Sequence, residues 1–305
     1  MQFVSYSGLE KILKEKGIGK TELSVALGLS TRTVAKIKKG EKLSKNTLTK
    51  ISEYLNVPVN LLFRYESDNK VLQLLRDEKE MHLSGGLYHE LQIRMTYNSN
   101  HIEGSKLTEA QTRMIFETNT IDIGDGIPVD DILETVHHFR AIDYCIDIAE
   151  EELSEEIIKK LHYIIKHDTK DSTLSWFAVG DYKKRANVVG GRETSKPSEV
   201  AAHMKSLLAR YNSKDKIGIE DIIEFHAEFE SIHPFQDGNG RVGRLIVLKE
   251  CLKNNILPFI IEDSKKGFYY RGLSEWQRER GWLIDTCLDG QDTFKKLLNM
   301  LEIEH

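Results

Sequence analysis

The stretch FHAEFESIHPFQDGNGRVGRLIVLKECL, residues 225 to 252, decides how the rest of the chain is read. Phe225, Phe229 and Ile232 recur at helical spacing and predict one buried helix face. Pro234 cannot continue that helix, so His233 is delivered at its C-terminal end, free to project into a site. Four residues of loop follow, and a second helix is predicted from near Asn239, with Leu245, Ile246 and Leu248 in the core. Gly238 and Gly240 bare backbone N–H groups where the new helix points its positive dipole end, an arrangement suited to phosphate. Arg241 and Arg244, three apart on that helix, can grip a polyphosphate through paired hydrogen bonds. Asp237 at the mouth of this nest is placed as a Mg²⁺ ligand, since Mg²⁺ takes one or two carboxylates and completes its shell with phosphate oxygens and water. His233 is the natural general base near neutral pH.

Outward from this centre the chain reads as mainly α. Helical segments are expected at about 71–100, 108–118, 129–150, 153–167, 197–212, 218–232, 239–254 and 275–302, the second opened by the capping box Thr108-x-x-Gln111. The exception is YKKRANVVGGRETSKP, residues 182–197, whose paired valines and Gly190-Gly191 step predict a short β-hairpin. The 305 residues, 40% hydrophobic and 30% charged, suit two domains. No apolar run approaches a membrane span and no signal-peptide core is present, so the cytoplasm is the expected compartment. Cys145, Cys251 and Cys287 are odd in number and sit among apolar neighbours, which predicts buried free thiols.

The net charge of −5 conceals an asymmetry: residues 1–66 carry 12 Lys and Arg against 6 Asp and Glu. Here LEKILKEKG, TELSVALG, TRTVAKIKKG and NTLTKISEYLNV predict four short helices, with Thr21, Thr31 and Asn46 expected at N-caps and Gly17, Gly28 and Gly40 at helix ends. A helix, a tight turn at Gly28 and a second helix with Val34 and Ile37 facing inward have helix-turn-helix spacing, Ala26 being small enough to let the helices approach. The module resembles the Cro/repressor type. That resemblance implies DNA contact by Thr31, Arg32, Thr33 and Lys36, with Lys38 and Lys39 on the backbone. A protein-docking bundle is the competing reading. The GKT at residues 19–21 is no P-loop, because Lys14 stands at the required upstream glycine.

Residues 233–244 match the pattern H-x-F-x-[D/E]-G-N-G-R-x-x-R, and the chain therefore resembles the Fic (Fido) family. The resemblance extends from about residue 92 to the C-terminus through SNHIEGSKLT, HHFRAIDY, AVGDYKKRANVVGG and FYYRGLSEW. It implies a helix-turn-helix domain over 1–66 and an all-helical Fic region over 67–305, with an inhibitory segment at about 92–106, a core at about 150–290 and a hairpin flap. The implied reaction is transfer of AMP from ATP to a Ser, Thr or Tyr hydroxyl of a target protein or of the chain itself. His233 would take the hydroxyl proton and Asp237 hold Mg²⁺. Gly238, Asn239 and Gly240 would stabilise the α-phosphate, and Arg241 and Arg244 position the outer phosphates. Val188, Val189, Gly190, Gly191 and Arg192 would hold the target strand by edge pairing.

SNHIEG, residues 99–104, matches the family's inhibitory pattern [S/T]-x-x-x-E-[G/N] through Ser99, Glu103 and Gly104. The resemblance implies that Glu103 pairs with Arg244 and displaces the γ-phosphate. Three alternatives are carried forward: a DNA-binding regulator whose Fic part senses nucleotide, a protein that mainly removes AMP, and a homo-oligomer as the working assembly. Two further patterns point elsewhere. Glu134-x-x-His137 and Glu230-x-x-His233 have di-iron spacing, and His137-His138 with His167-Asp168 suggests a metal phosphohydrolase. Neither accounts for the glycine loop, and His138 is expected to pack within its helix. Lys183-Lys184-Arg185 after Tyr182 departs from the family, where arginine commonly follows the tyrosine directly.

Overall fold

The computed structural model describes residues 3–122 and 126–304 and divides into two compact units, 1–73 and 74–305. The described residues form fourteen α-helices and two pairs of very short strands. The predicted mainly helical class holds.

In the first unit α1 (Ser7–Lys16), α2 (Lys20–Leu27), α3 (Thr31–Lys39) and α4 (Lys45–Leu55) each end on a left-handed residue, Gly17, Gly28, Gly40 and Asn56. The N-caps fall one or two residues earlier than expected. Gly19, Ser30 and Ser44 hold those positions in place of Thr21, Thr31 and Asn46, because the Ser30 and Ser44 hydroxyls accept the Thr33 and Thr47 amides. Leu9, Leu13, Leu23, Leu48, Ile51 and Leu55 form the core, against which Ile37 and Leu27 pack. Ala26 is exposed and does not mediate the α2–α3 contact; Leu23, Val34 and Ile37 line that junction. A strand pair that the periodicity missed, β1 (Phe3–Ser5) against β2 (Arg64–Glu66), joins the two ends of the unit antiparallel.

The second unit is built around α12 (Asn239–Lys253), which is buried along almost its whole length. It packs on several sides, against α6 (Leu87–Ile102), α8 (Val129–Asp147), α9 (Glu155–Lys166) and α11 (Ile219–Ile232). Its buried charges are satisfied: Lys249 bonds Glu250 at 2.6 Å, and Glu250 accepts the Tyr211 hydroxyl at 2.9 Å. Cys145, Cys251 and Cys287 are buried free thiols.

The expected helix at 71–100 is two helices, α5 (Lys70–Met81) and α6, broken by SGG at residues 84–86. Gly85 is left-handed, and a Cβ on Gly86 would fall 2.6 Å from the Glu78 carboxylate that caps Tyr88. Around them stand α7 (Glu109–Thr118), opened by the predicted capping box, and α10 (Pro197–Asn212). The segment predicted at 275–302 starts late: α13 (Lys266–Glu275) was missed, and α14 spans Gly281–Met300. Gly272 is the reason the two can pack, since a Cβ there would sit 2.7 Å from the Leu283 backbone. The hairpin is present as β3 (Val188–Val189) and β4 (Arg192–Glu193), with Gly190 and Gly191 both at positive φ as a two-residue turn requires. Among the described residues no helix is long and apolar enough to cross a membrane.

Candidate active site

His233 caps α11 in the left-handed conformation, with φ 52°. A non-glycine residue held there stores strain that the following Pro234 and the tight loop enforce. The loop is closed by Asn239, whose side chain accepts the Phe235 amide at 2.8 Å and donates to the Phe235 carbonyl at 2.9 Å. Asn239 is thereby a clamp on the loop. Gly238, at φ 78°, is the N-cap of α12, so the amides of the first turn are bare as the sequence predicts.

The His233 Nδ1 atom is buried on the side of the Glu230 backbone, and the imidazole lines a cleft. Burial, and then the Lys183 ammonium, push the imidazole down to about 4. The side chain is a neutral base at physiological pH. Lys183 is itself pushed down to about 8 by burial. It donates to Asn187 Oδ1 at 2.7 Å and Thr194 Oγ1 at 2.6 Å, and its amide donates to the Pro234 carbonyl at 2.9 Å, tying the root of the flap to the loop.

A cleft of about 690 Å³ opens beside His233, lined by Glu103, Gly240, Arg244, Glu230 and Tyr270, with Val189 and Gly190 of the flap on one side. That volume suits a nucleotide-sized ligand. Arg244 is held from several directions: Nε donates to Ser99 Oγ at 3.0 Å, Nη2 to the Ser99 carbonyl at 2.9 Å and Nη1 to the Tyr269 hydroxyl at 3.5 Å. Nη2 also meets Glu103 Oε1 at 2.7 Å. Glu103 ends α6, and Gly104 at φ 101° turns the chain away. A Cβ on Gly240 would collide with the Glu103 carboxylate. The carboxylate therefore lies against the first turn of α12, on the spot the bare helix end offers to an anion.

Asp237 and Arg241 do not line the cleft with Arg244. Arg241 is buried, bonded to Glu134 and, at 3.3 Å, to Asp237 Oδ2. Lys166, also buried, lies 2.7 Å from both Asp237 and Glu134. These cations outweigh desolvation and hold the Asp237 carboxyl below the usual range. Half of the Asp237 side chain remains exposed, so one carboxylate can still meet a cation. No group of three or more His, Cys, Asp or Glu side chains able to hold a metal occurs among the described residues. The donor set suits a Mg²⁺ that brings most of its ligands as phosphate and water, and does not suit a protein-caged metal.

The two metal patterns weighed from the sequence find other uses. Glu134 pairs with Lys166 and Arg241. His137 stacks on His167 with centroids 3.9 Å apart, and His138 is buried with Nδ1 3.0 Å from Thr96 Oγ1. His162, which no motif indicated, bonds the Asp237 carbonyl at 3.2 Å and stacks on Phe235 at 4.0 Å. Val188 and Val189 are exposed, with the Val189 backbone paired to Arg192; the Arg192 side chain lies outside the described residues. In the first unit Thr31, Arg32, Lys38 and Lys39 are exposed and Lys36 is half-buried, while Thr33 is drawn to the Ser30 cap.

Glu230 carries a pH signature. Burial, and then the neighbouring Glu103 carboxylate, raise its carboxyl to about 8. A carboxyl whose folded pKa lies above its unfolded value adds stability at low pH, and loses it as pH climbs through the folded value. Glu230→Gln is expected to melt higher than wild type at pH 8.5, by the equivalent of about 4 kcal/mol. The gap should close by about pH 4.5. Equal thermal midpoints at pH 8.5 would contradict the assignment.

Residues 152–250 match the Fic/DOC family, and residues 8–68 match the Cro/C1-type helix-turn-helix DNA-binding domain. Over 149 residues the chain is 26% identical to a probable protein adenylyltransferase of Aquifex aeolicus, covering 47% of this chain and 45% of that one. Over 136 residues it is 27% identical to the protein adenylyltransferase Fic of Drosophila persimilis, covering 42% of this chain and 27% of that protein. The chain thus spans less than half the length of these relatives. Among solved structures, a Fic-domain-containing signalling protein from Bacteroides thetaiotaomicron superposes with a TM-score of 0.60 at 21% identity, over 76% of this chain and 95% of that one. Fic-1 of C. elegans superposes at 0.59 and 16% identity, over 97% and 87%. Both show a shared fold.

Proposed function

From a chain that carries a Fic/DOC-family domain behind a Cro/C1-type helix-turn-helix domain, we propose a protein adenylyltransferase that Glu103 holds in check. One observation carries the reading: the anion site made by Gly240 and Arg244, beside a neutral His233, is filled by the protein's own Glu103 carboxylate.

In this mechanism His233 Nε2 takes the proton of a Ser, Thr or Tyr hydroxyl as its oxygen bonds the α-phosphorus of ATP. The bond from that phosphorus to the bridging oxygen breaks, and pyrophosphate leaves with the electron pair. The amides opening α12 meet the charge that develops on the α-phosphate. Arg244, released from Glu103, binds the outer phosphates. Asn239 keeps the loop closed, and Arg241 fixes Asp237. Asp237 would hold Mg²⁺, which when bound neutralises phosphate charge. The exposed Val188–Val189 edge offers backbone groups to an extended target segment.

Mass spectrometry of the Glu103→Gly protein, incubated with each nucleoside triphosphate alone and with lysate, tests the reading. An adenylyl adduct on a hydroxyl is expected, and its absence under all conditions would overturn it. Glu103 and His233 line one cleft, so removal of AMP from a modified protein is the second reading. Release of AMP that is lost in the Glu103 variant would select it.

The first unit supports a DNA-binding partner function, because α3 carries Arg32, Lys36, Lys38 and Lys39 and no acidic residue. The double variant Arg32→Ala, Lys36→Ala is expected to weaken binding to promoter DNA by about 10- to 100-fold and to lower the salt slope by about 2. Unchanged affinity and slope in fluorescence anisotropy would exclude α3 as the recognition helix.

A further inference from the structure

Lys166 stands where no motif put a functional residue. Its ammonium lies 2.7 Å from Asp237 Oδ2, 2.7 Å from Glu134 Oε1 and 3.4 Å from Asp171 Oδ2. Three carboxylates, from α8, from the turn after α9 and from the loop after α11, converge on one buried cation. Arg241 closes the set by bridging Glu134 and Asp237. A buried lysine is tolerated only when its charge is well paired, so this is a built site. Four residues earlier on α9, His162 bonds the Asp237 carbonyl. One helix face thus grips Asp237 through both backbone and side chain.

We propose that Lys166 is a built-in cation that positions Asp237 and reserves it for a nucleotide-borne metal. The ammonium holds one carboxylate oxygen on the protein side and fills the centre of the Glu134, Asp171 and Asp237 carboxylates with its own charge. A free divalent cation approaching Asp237 meets Lys166 and Arg241 at short range, and their repulsion opposes it. A triphosphate carries enough negative charge to offset that repulsion, so the cation arrives with the nucleotide and not before it. Lys166 acts through Asp237 and touches no reacting atom.

The inference rests on the adenylyl-transfer reading only for its nucleotide arm. The test is Mn²⁺ binding to the full chain, followed by the electron paramagnetic resonance of free Mn²⁺. Without nucleotide, wild type and Lys166→Arg are expected to show no site tighter than about 1 mM. Lys166→Met, which removes the ammonium that holds Asp237 and Glu134 and leaves Arg241 alone beside them, is expected to bind Mn²⁺ about tenfold or more tighter. Lys166→Gln, which keeps hydrogen-bonding capacity, is read the same way should the Met variant lose its cooperative melt. Tight Mn²⁺ binding by nucleotide-free wild type, or unchanged affinity in a folded neutral variant, would overturn the proposal. Adding ATP should recruit Mn²⁺ to wild type. Failure of that arm alone, with the variants behaving as expected, would count against the nucleotide reading and leave the role of Lys166 standing.

Discussion

Replacing His233 with Ala, in a Glu103→Gly background, is expected to lower AMP transfer by about 10²- to 10⁴-fold while leaving ATP binding nearly unchanged. The size follows from the lack of a substitute base in the cleft. Glu230, the neighbouring carboxyl, is held up chiefly by burial, a cause that removal of Glu103 leaves in place. Among the described residues that line the cleft, the remaining carboxylate once Glu103 is removed is Glu193, on the exposed flap itself. The sign of the pH dependence is also fixed. Because burial and Lys183 hold His233 down to about 4, the rate should be level from pH 8 to about 5 and fall only below that. A rate that falls between pH 7 and 6 would mean that the base is an ordinary exposed imidazole. An alanine variant with full turnover would remove His233 from the chemistry.

Replacing Glu103 with Gly is expected to raise AMP transfer by about 30- to 1,000-fold, the range that corresponds to losing one part-buried, hydrogen-bonded charge pair. The 2.7 Å contact with Arg244 and the overlap with the space above Gly240 are two faces of one obstruction. A carboxylate and a phosphate oxygen cannot share the same guanidinium edge. The substitution should not loosen α6. Ser99 retains two bonds to Arg244, and Gly104 turns the chain without help from the Glu103 side chain. Thermal midpoints within about 2 °C of wild type are expected, since the lost pair is partly exposed. Glu103→Gln, similar in shape but uncharged, should fall between the two in activity.

Much of this was legible in the sequence because the informative residues are close together. The end of α11, the glycine loop and the start of α12 lie within twelve residues, and proline and glycine impose the geometry locally. The hairpin was equally plain from Gly190-Gly191. The contact between Ser99, Glu103 and Arg244 spans some 140 residues and became readable only through a family pattern. Where no such pattern exists, periodicity is silent. Glu134, His162 and Lys166 are common residue types brought to Asp237 or Arg241 from 71 to 107 positions away. Arg241 shows the same limit from the other side. Its spacing from Arg244 suggested a shared phosphate, and the spacing alone could not show that Arg241 is buried and paired with Glu134. The three-residue strands β1 and β2 are too short to leave an alternation. The errors at the N-caps are of one or two residues: the Ser30 and Ser44 hydroxyls cap ahead of Thr31 and Asn46, and at Gly19 the backbone amide is met by Glu22 instead.

The central claim is that Arg244 is shared between Glu103 and the triphosphate of a nucleotide whose α-phosphoryl group is transferred. Label incorporation into protein from ATP labelled at the α- or the γ-phosphate tests it most directly, comparing wild type, Glu103→Gly and the double variant Glu103→Gly, Arg244→Ala. The account predicts α-label at a low level in wild type, a large rise in Glu103→Gly, its loss in the double variant, and no γ-label in any of the three. Incorporation of γ-label, or a double variant as active as Glu103→Gly, would contradict it.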